Sequence, residues 1–597
     1  MLQGEKYSWV DMINIPFKCA PINTIVIAII KLLDGLIPTL QVIATAKFLD
    51  NAIAVVNGTK VIGDVFIPIL MLITLVAYSW VSRQICKFVE VKLELKLKET
   101  FRVSITEKRA RLKFKHIENN DTWNLISRVA KEPEKQCKDA YMNLLSFMAL
   151  ILKCLGLLML LMTQVWWSTV LIIAVSIPLI MLAIKGGKAN YEANRVASKY
   201  KRRYEYIGEV LRGREAVDER TLFGYTEELN KKWVDEYECA RKIELKTNLK
   251  WFVKMKTGGV LVALISSLIA LILIGPVKKG VLSIGMFISI INAVFDLIQI
   301  MTWQLTYYTD QLAKNKEYLK DLSEVSRLEE SNGALDEPSK ENLKLKTLEF
   351  KNVSFKYPGT ENYILNNMSF KIEEGRHYAF VGINGAGKTT ITKLITGLYE
   401  DFEGEILINN ISIREYSQSV LKSLCSVVYQ DFAKYFISIK ENIALGDINN
   451  MNNKEQEEVI NKSIEIIDLK EEIEKLPKGI DTTLGKIKED GQDISGGQWQ
   501  RIAMARSIIS PATLRILDEP TAALDPISES NLYEKFEEIS RGNTTIFISH
   551  RLGSTKLANE IFVIGSGEIV EKGSHEELMN NNGIYAEMYE SQRSWYL

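Results

Sequence analysis

The chain carries, at residues 382–390, the stretch Gly382-Ile383-Asn384-Gly385-Ala386-Gly387-Lys388-Thr389-Thr390. An apolar run precedes it and a helix-patterned segment follows, so the order is strand, glycine loop, helix. Its three glycines let the backbone aim consecutive N–H groups at a polyphosphate, and the helix adds the positive end of its dipole. We therefore expect all of 382–390 to bind phosphates, with Lys388 on the β- and γ-phosphates and the Thr389 hydroxyl on Mg²⁺.

The composition indicates a membrane protein with a soluble part. Hydrophobic residues make up 47% of the 597 residues, more than a soluble core needs, and the long apolar runs crowd into the first half. The 74 basic and 74 acidic residues balance, which leaves no overall basic charge for nucleic acid. We expect no nucleic-acid partner, and a DNA-handling ATPase is disfavoured.

The cysteines indicate neither zinc sites nor a disulfide framework, because they are widely scattered and include no C-x-x-C pair. We expect all six to be reduced thiols: Cys19, Cys86, Cys137, Cys154, Cys239 and Cys425. With four histidines in the chain, a histidine-built transition-metal site is not expected. The N-terminus lacks the short apolar core and cleavage site of a signal peptide, so the first long apolar segment is expected to be an uncleaved anchor.

Several segments are long and apolar enough to cross a hydrocarbon layer of about 30 Å, each with about 20 mostly apolar residues. The six predicted spans are approximately 22–48, 62–86, 141–163, 165–184, 257–275 and 281–302.

The loops between the spans predict their orientation. The loops after the second and fourth spans, 87–140 and 185–256, are long and crowded with Lys and Arg, whereas the other loops are short and carry few. Since basic loops stay in the cytoplasm, both termini of this multi-pass protein are predicted to be cytoplasmic. The richness in Ile, Lys and Asn indicates an AT-rich bacterial genome, so the bacterial cytoplasmic membrane is the expected location. Both long loops have helical spacing and reverse at candidate turns, His116–Trp123 and Gly208–Gly224.

The chain therefore divides into a membrane domain at 1–330, a linker at 331–342 that contains Ser331-Asn332-Gly333 and Pro338, and a soluble domain at 343–597.

Within the soluble domain, the segment Leu514-Arg515-Ile516-Leu517-Asp518-Glu519 has the pattern of a buried strand that ends in two carboxylates. Asp518 suits a Mg²⁺ ligand, directly or through water. Glu519 is placed to polarise an attacking water. Two adjacent acids alone are weak evidence for such chemistry, but together with the phosphate-binding loop they are strong evidence.

These motifs resemble one family. Residues 343–597 resemble the nucleotide-binding domain of an ABC transporter, and the six spans with their long cytoplasmic helices resemble the membrane domain of an exporter in that family. The resemblance implies a multidomain membrane protein: an all-α six-helix exporter domain joined to an α/β ATPase domain that hydrolyses ATP with Mg²⁺. It also implies alternating access. The two reversals, near 116–123 and 208–224, resemble the family's coupling helices, and the second, from Arg214 to Gly224, is the better match.

The family's signature sequence appears as Ile494-Ser495-Gly496-Gly497-Gln498, with Ile in place of the usual Leu. In the family, this segment begins a helix whose N-terminus and serine contact the γ-phosphate of ATP held by the opposite domain. We therefore expect Ser495, Gly496, Gly497 and Gln498 to bind ATP across an interface. One copy per chain implies a second half-transporter chain, and a homodimer is the preferred assembly.

Four further residues match family elements in the family's order. Tyr357 corresponds to the aromatic residue that stacks on adenine. Gln430 corresponds to the glutamine that senses Mg²⁺ and the attacking water. Asp525 lies in the loop that crosses the dimer interface, and His550 corresponds to the switch histidine that contacts the γ-phosphate. The resemblance thus implies Glu519, His550 and Gln430 as catalytic residues.

Polar residues inside predicted spans are costly and indicate function. In the first span, Lys31 and Asp34 are three residues apart, so they either form a simple pair or line a substrate pathway. In the sixth, Asn292, Asp296 and Gln299 form a polar stripe that is typical of a cavity wall.

The substrate is predicted only from local similarity. The segments Gly496-Gly497-Gln498-Trp499-Gln500 and Leu524-Asp525-Pro526-Ile527 resemble those of exporters of ribosomally made, modified peptides such as lantibiotics. A multidrug or lipid exporter is the alternative, and an ABC ATPase that regulates without transporting is the alternative of another class.

Overall fold

The structure is a computed structural model of the chain. It describes the chain except residues 1–5, 165, 214–215, 342, 452, 454, 488, 521–528, 530–534, 536–539, 541, 550–551 and 595–597, and a further set of helix side chains that includes Gln299.

The chain forms two compact units. Unit 1 comprises residues 1–109 and 124–328, and unit 2 comprises 110–123 and 329–597. Residues 110–123, which we call the tip segment, therefore group with the C-terminal part of the chain although unit 1 flanks them in sequence. The predicted linker at 331–342 begins just after the boundary at 328/329.

The first 330 residues are helical. In chain order the helices are α1 Asp11–Cys19, α2 Pro21–Val56, α3 Phe66–Leu97, α4 Val103–Arg111, α5 Phe114–Glu118, α6 Asn120–Ala130, α7 Pro133–Gln164, α8 Trp166–Arg212, α9 Val217–Phe223, α10 Thr226–Lys278, α11 Ile284–Gln299 and α12 Leu305–Arg327.

Short irregular segments join or interrupt these helices. A 3₁₀ turn at Ile62–Val65 leads into α3, and π-helical segments occur at Lys98–Arg102 and Ile300–Gln304. Gly224 takes a left-handed conformation, with φ of 62°, and ends α9 at the reversal predicted for this region.

Three helical stretches among the described residues are long and apolar enough to cross a membrane: Pro21–Val56, Ile62–Arg111 and Pro133–Thr163. Ile284–Leu297 forms a shorter apolar helix. The three long stretches contain the first, second and third predicted spans, and the shorter helix Ile284–Leu297 lies within the sixth, 281–302. The fourth and fifth predicted spans lie on α8 and α10 and include side chains outside those described.

One face of α2 shows what surrounds unit 1. Ile25, Ile29, Leu33, Leu36 and Leu40 recur at helical spacing and are all exposed. A contiguous apolar stripe of this length is unfavourable in water, whereas lipid solvates it. Helices also satisfy their own backbone hydrogen bonds, which lipid cannot do.

A carboxylate holds the start of α11 against the end of α2. Asp50 accepts hydrogen bonds from the Ser283 hydroxyl at 2.5 Å and from the backbone N–H of Gly285 at 2.7 Å. Ser283 is also the N-cap of α11 and accepts from the N–H of Met286. A negative charge is favourable at this helix end because of the dipole.

Unit 2 is an α/β domain. Its strands are β1 Thr347–Phe355, β2 Leu365–Glu373, β3 His377–Gly382, β4 Glu403–Ile408, β5 Ile411–Ser412, β6 Cys425–Val428, β7 Leu514–Asp518, β8 Thr544–Ile548, β9 Glu560–Gly565 and β10 Glu568–Gly573. Its helices after residue 330 are α13 Lys388–Ile395, α14 Gln418–Leu424, α15 Ile439–Ala444, α16 Glu455–Ile466, α17 Lys470–Glu474, α18 Gly496–Ile509, α19 His575–Asn580 and α20 Ile584–Arg593.

The strands form two sheets. One is antiparallel in the order β2-β1-β4-β5. The other has the order β10-β9-β3-β8-β7-β6 and is parallel from β9 to β6. The central strands β7 and β8 are buried along their whole length, as a parallel sheet covered on both faces requires.

This strand order positions the site. Because β3 and β7 flank β8, and β6 lies beside β7, the carboxyl ends of these parallel strands meet at one edge of the sheet. The phosphate-binding loop follows β3, Glu519 follows β7 and Gln430 follows β6 by two residues. Crevices outside the carboxyl ends of parallel strands are where open α/β sheets bind ligands.

Helices α15 and α18 are clamped together by Arg506. Its guanidinium donates to the Asn442 side-chain oxygen at 2.6 Å, to the Asn442 backbone oxygen at 3.0 Å and to the Ala433 backbone oxygen at 3.0 Å. Burial lowers the pKa of this guanidinium. Gly446 packs against the Arg506 carbonyl so closely that a side chain there would clash with it.

We predict that Gly446→Ala destabilises unit 2 by about 1–3 kcal/mol, because the added methyl group meets fixed backbone. The thermal unfolding midpoint of the corresponding transition is expected to fall by about 2–10 °C in calorimetry. Gly553→Ala is the matched control, since a methyl group there meets nothing within 4 Å. Equal midpoints for both variants would contradict this packing.

Candidate functional site

The phosphate-binding loop is built on left-handed backbone that its glycines permit. Gly385 has φ of 82° and Gly387 has φ of 103°, where other residues are strained. At Gly387 a side chain would also contact Leu365, 2.6 Å away. Gly387 is the N-cap of α13, so the loop delivers the positive end of that helix to the site.

Lys388 lies inside this loop. Its ammonium donates to the carbonyl oxygens of Gly382 at 2.9 Å and Ile383 at 3.0 Å, and only 5% of the residue is exposed. Burial lowers its pKa, while the nearby carboxylates of Glu519 and Asp518 raise it. The loop therefore encloses a positive charge beside its own N–H groups.

Asp518 ends β7 and is almost completely buried. Burial raises the pKa of its carboxyl to about 6, the Thr389 hydroxyl and Lys388 lower it, and Glu519 and Asp431 raise it further. Neither carboxylate oxygen makes a well-formed hydrogen bond among the described residues. A buried carboxylate with unsatisfied oxygens, next to a threonine hydroxyl, is a donor set that fits a hard cation such as Mg²⁺.

Glu519 is held in a strained conformation that aims its carboxylate. Its φ is 48°, in the left-handed region that is costly for a glutamate. Its N–H donates to the Ile548 carbonyl at 2.8 Å, and its carbonyl accepts from the Gln500 amide at 3.0 Å. The Gln430 amide donates to its carboxylate at 2.9 Å.

Lys388, Glu519 and Gln430 line one cleft of about 460 Å³, and the buried Asp518 does not line it. The sequence-predicted residues that line it are Tyr357, Asn384, Gly385, Gly387, Lys388, Thr389, Thr390, Gln430 and Glu519. Ile364 and Ile548 line it as well and were not predicted. Gly382, Ile383 and Ala386 complete the loop without lining the cleft.

Tyr357 closes one end of the cleft. Its hydroxyl lies 3.0 Å from the Thr390 hydroxyl, and its ring meets the edge of Tyr399 at 5.6 Å between centroids. The ammonium of Lys393, on α13, lies 5.1 Å from the centre of the Tyr357 ring. A flat face of an aromatic ring at the end of a phosphate cleft suits a nucleobase.

The tip segment packs beside Tyr357. Glu118, at the end of α5, forms an ion pair with Lys393 at 2.7 Å and accepts a hydrogen bond from the Tyr399 hydroxyl. Phe114 meets Tyr399 edge-on at 5.6 Å. Sequence reasoning missed this cluster; the available signal was Lys393, which lies five residues after Lys388 along α13.

The signature segment lies apart from this cleft. Ser495 is the N-cap of α18 and forms a capping box with Gln498: the Ser495 hydroxyl accepts from the Gln498 N–H, and the Gln498 side chain accepts from the Ser495 N–H. Ser495 and Gly496 are exposed, and Gly497 is half-buried. The N-terminus of α18 is thus an exposed site for an anion.

Two predicted ATP-site residues, Asp525 and His550, lie outside the described residues. In unit 1, Gln299 has no described side chain, and Asn292 is exposed on α11. Asp296 forms an ion pair with Lys153 at 3.5 Å. Asp34 accepts a hydrogen bond from the Ser82 hydroxyl at 3.1 Å, so its described partner is on α3 and not the neighbouring Lys31.

Comparison with known proteins identifies relatives of the whole chain. The family model described as ABC transporter matches residues 365–522. The subtilin transport ATP-binding protein SpaT of Bacillus subtilis is 30% identical over 573 residues, 94% of this chain and 90% of that protein. An ATP-dependent lipid A-core flippase of Shewanella frigidimarina is 29% identical over 83% of this chain and 80% of its own length.

A solved structure shares the fold. The structure of a bacterial Atm1-family ABC exporter with ATP bound matches with a TM-score of 0.76, covers 94% of this chain and 97% of its own, and is 19% identical. This likeness concerns the fold alone.

We predict that Tyr357→Leu weakens ATP binding about tenfold, because base stacking on an aromatic ring contributes about 1–3 kcal/mol. Tyr357→Phe keeps the ring and loses only the contact with Thr390, so its affinity is expected to stay within about twofold. Binding of a fluorescent ATP analogue to the purified protein measures both. Equal affinity losses for Phe and Leu would contradict stacking on this ring.

Proposed function

This chain belongs to the ABC transporter family as a half-exporter, and we propose that it exports a ribosomally made, modified peptide across the bacterial cytoplasmic membrane. The protein is a membrane-embedded exporter whose second domain binds and hydrolyses ATP. The substrate, the two-chain assembly and the residue roles given below are the proposed parts.

The convergence of Lys388, Glu519 and Gln430 on one cleft carries the assignment of roles. In the proposed reaction, water attacks the γ-phosphorus of ATP and the bond to the β-phosphate oxygen breaks. Lys388 and the loop N–H groups stabilise the negative charge of the phosphates. Glu519 accepts the proton of the water, and the hydrogen bond from Gln430 orients its carboxylate.

Mg²⁺ is part of the proposal. Thr389 and Asp518 would hold it, with Gln430 close by. The unsatisfied oxygens of Asp518 support this assignment. Bound there, Mg²⁺ would neutralise charge on the phosphates.

The exposed N-terminus of α18 supports a two-chain assembly. Ser495, Gly496, Gly497 and Gln498 do not line the cleft of their own chain, so we propose that they bind ATP held by a partner. Since the described catalytic residues are all present, a homodimer with two competent sites is the simplest assembly. Asp525 and His550 are proposed to act at the same interface.

A peptide is the preferred substrate because a relative named for subtilin transport aligns with 94% of the chain. The local similarity around Gly496–Gln500 and Leu524–Ile527 points to the same class. A lipid is the second candidate, because the relative named as a lipid A-core flippase aligns with 83% of the chain.

The basic loops further support cytoplasmic termini.

The tip segment is proposed to couple the two units. It belongs to unit 2 but is joined at residues 109/110 and 123/124 to the helices of unit 1. Through Glu118 it contacts both Lys393 on the phosphate-loop helix and Tyr399 beside Tyr357. A nucleotide that binds against Tyr357 would therefore act on the tip segment directly through these contacts.

The substrate proposal is tested by ATPase turnover in lipid nanodiscs. Subtilin and other modified peptides, lipophilic cations and lipid A are added separately. Stimulation by the peptides alone is the expected result. Stimulation by lipid A alone would establish the second candidate, and stimulation by unrelated cations would contradict both.

We predict that Glu519→Gln lowers the ATPase rate about 100- to 10,000-fold, because the amide cannot accept the proton. ATP affinity is expected to be retained, since the phosphate-binding loop is unchanged. Glu455→Gln, on the exposed surface of α16, is the matched control. A Glu519→Gln enzyme with more than a tenth of the normal rate would contradict the assignment.

We predict that Glu118→Gln lowers peptide transport per ATP several-fold while the basal ATPase rate stays within about twofold. The charge of the ion pair with Lys393 is lost, yet such partly exposed pairs contribute only about 0–1 kcal/mol to stability. Glu457→Gln, which removes a partly exposed pair with Lys440 away from the tip segment, is the control and is expected to leave transport per ATP unchanged. Parallel loss of transport and ATPase would indicate damage to the nucleotide site and not to coupling.

A further inference from the structure

Unit 1 contains a small polar cleft between apolar helices. Lys31 and Asp34 on α2, Lys153 on α7, and Gln304 and Tyr308 near the start of α12 all line it. Charged side chains within membrane segments are expensive and are retained where they serve a function.

The charged residues of this region lie at a similar depth. Counted from the cytoplasmic ends of the predicted spans, at 1.5 Å per residue, Lys31, Lys153 and Asp296 lie about 9–18 Å into the membrane. Three helices thus place charge at depths that differ by less than about 10 Å, around the middle of a hydrocarbon layer of about 30 Å. A substrate that enters from the cytoplasm would meet these charges before it has crossed.

The charges that line the cleft are unequal. Lys31 and Lys153 contribute two positive charges and Asp34 one negative charge. Asp34 already accepts a hydrogen bond from Ser82. Lys153 is paired with Asp296, which does not line the cleft. With Asp296 included, the two positive and two negative charges balance, and Asp34 keeps its negative charge although Ser82 donates to it. Lys31 makes no ion pair within 4 Å among the residues the structure describes, so its ammonium is the cation of the cleft that is open to the carboxylate of a ligand.

The volume of the cleft limits what it can hold. It encloses about 150 Å³, roughly the space of five water molecules. That volume admits a carboxylate with the atoms next to it but not a whole peptide. A carboxylate forms charge-assisted hydrogen bonds with ammonium groups, and Gln304 and Tyr308 add neutral donors.

We propose that this cleft is the subsite that binds a carboxylate group of the exported peptide, with Lys31 as its principal contact and Lys153 as its second. The inference rests on the proposed peptide export and adds to it a recognition element. It predicts that the transporter distinguishes a peptide acid from the same peptide with its carboxyl groups blocked.

The test measures the subtilin concentration that half-maximally stimulates ATPase in nanodiscs of neutral phosphatidylcholine. Lys31→Gln is expected to raise it about tenfold, because a charge-assisted hydrogen bond is lost. Asp296→Asn is expected to lower it about two- to threefold, because Lys153 is released toward the cleft. Lys47→Gln, exposed on the same helix, is the control and is expected to change nothing.

Blocked peptides identify the source of the carboxylate. Subtilin amidated only at its C-terminus and subtilin methyl-esterified at every carboxyl group are compared with the free acid. For the unmodified protein, esterification is expected to raise the subtilin concentration that half-maximally stimulates ATPase about tenfold. For Lys31→Gln, esterification is expected to leave that concentration unchanged. If amidation alone has this effect, the terminal carboxylate is the ligand; if it has none, a side-chain carboxylate is. Addition of anionic phosphatidylglycerol is expected to leave these differences in place.

The outcomes separate the two proposals. If no form of subtilin stimulates the unmodified protein, the proposed peptide export fails and the subsite fails with it. If the free acid stimulates but Lys31→Gln and esterification change nothing, the carboxylate subsite alone is wrong. If the differences between the variants and between the peptide forms disappear when phosphatidylglycerol is added, the cleft binds a lipid phosphate. That result would also overturn the carboxylate subsite. A thermal unfolding midpoint that matches that of the unmodified protein shows that each variant is folded.

Discussion

The order of the strands in the parallel sheet of unit 2 is the constraint on which the rest depends. With β8 in the centre, the ends of β3, β7 and β6 open on one edge. The loop that encloses Lys388 therefore meets Gln430, 42 residues further along the chain, and Glu519, 131 residues further along. The fully buried strands β7 and β8 fix these ends, so Glu519 can be held in a strained backbone conformation.

The same part of unit 2 also holds the tip segment through short, specific contacts. Tyr357 shares the Lys393 ammonium with Glu118, and Tyr399 touches both Tyr357 and the tip segment. Single exposed ion pairs are weak, but here each partner also packs against an aromatic ring, which limits the orientations it can take. The tip segment thereby packs in unit 2, while the residues on both sides of it in the sequence belong to unit 1.

Much of the geometry of the candidate nucleotide site could be predicted from the sequence, because the residues that form it belong to contiguous motifs. The glycines at 385 and 387, Lys388, Asp518 and Glu519 each need their residue type for a local reason: positive φ, a phosphate-directed charge or a carboxylate at a strand end. The breaks between helices also follow from local signals, such as Gly224.

Contacts between distant segments left no such signal. Glu118 appeared as one more charge in a basic loop, and nothing in the sequence separates its pairing with Lys393 from a solvated side chain. Likewise, Lys31 and Asp34 have the spacing of a helical pair, yet Asp34 bonds to Ser82 on another helix.

ATP-driven movement of a peptide is the central claim, and vesicle uptake tests it most directly. Inverted vesicles that contain the purified protein are given labelled subtilin with ATP and Mg²⁺ outside. The account predicts that subtilin accumulates inside only when ATP is hydrolysed, and that a non-hydrolysable ATP analogue gives no accumulation. ATP hydrolysis without accumulation of subtilin or any other modified peptide would contradict it.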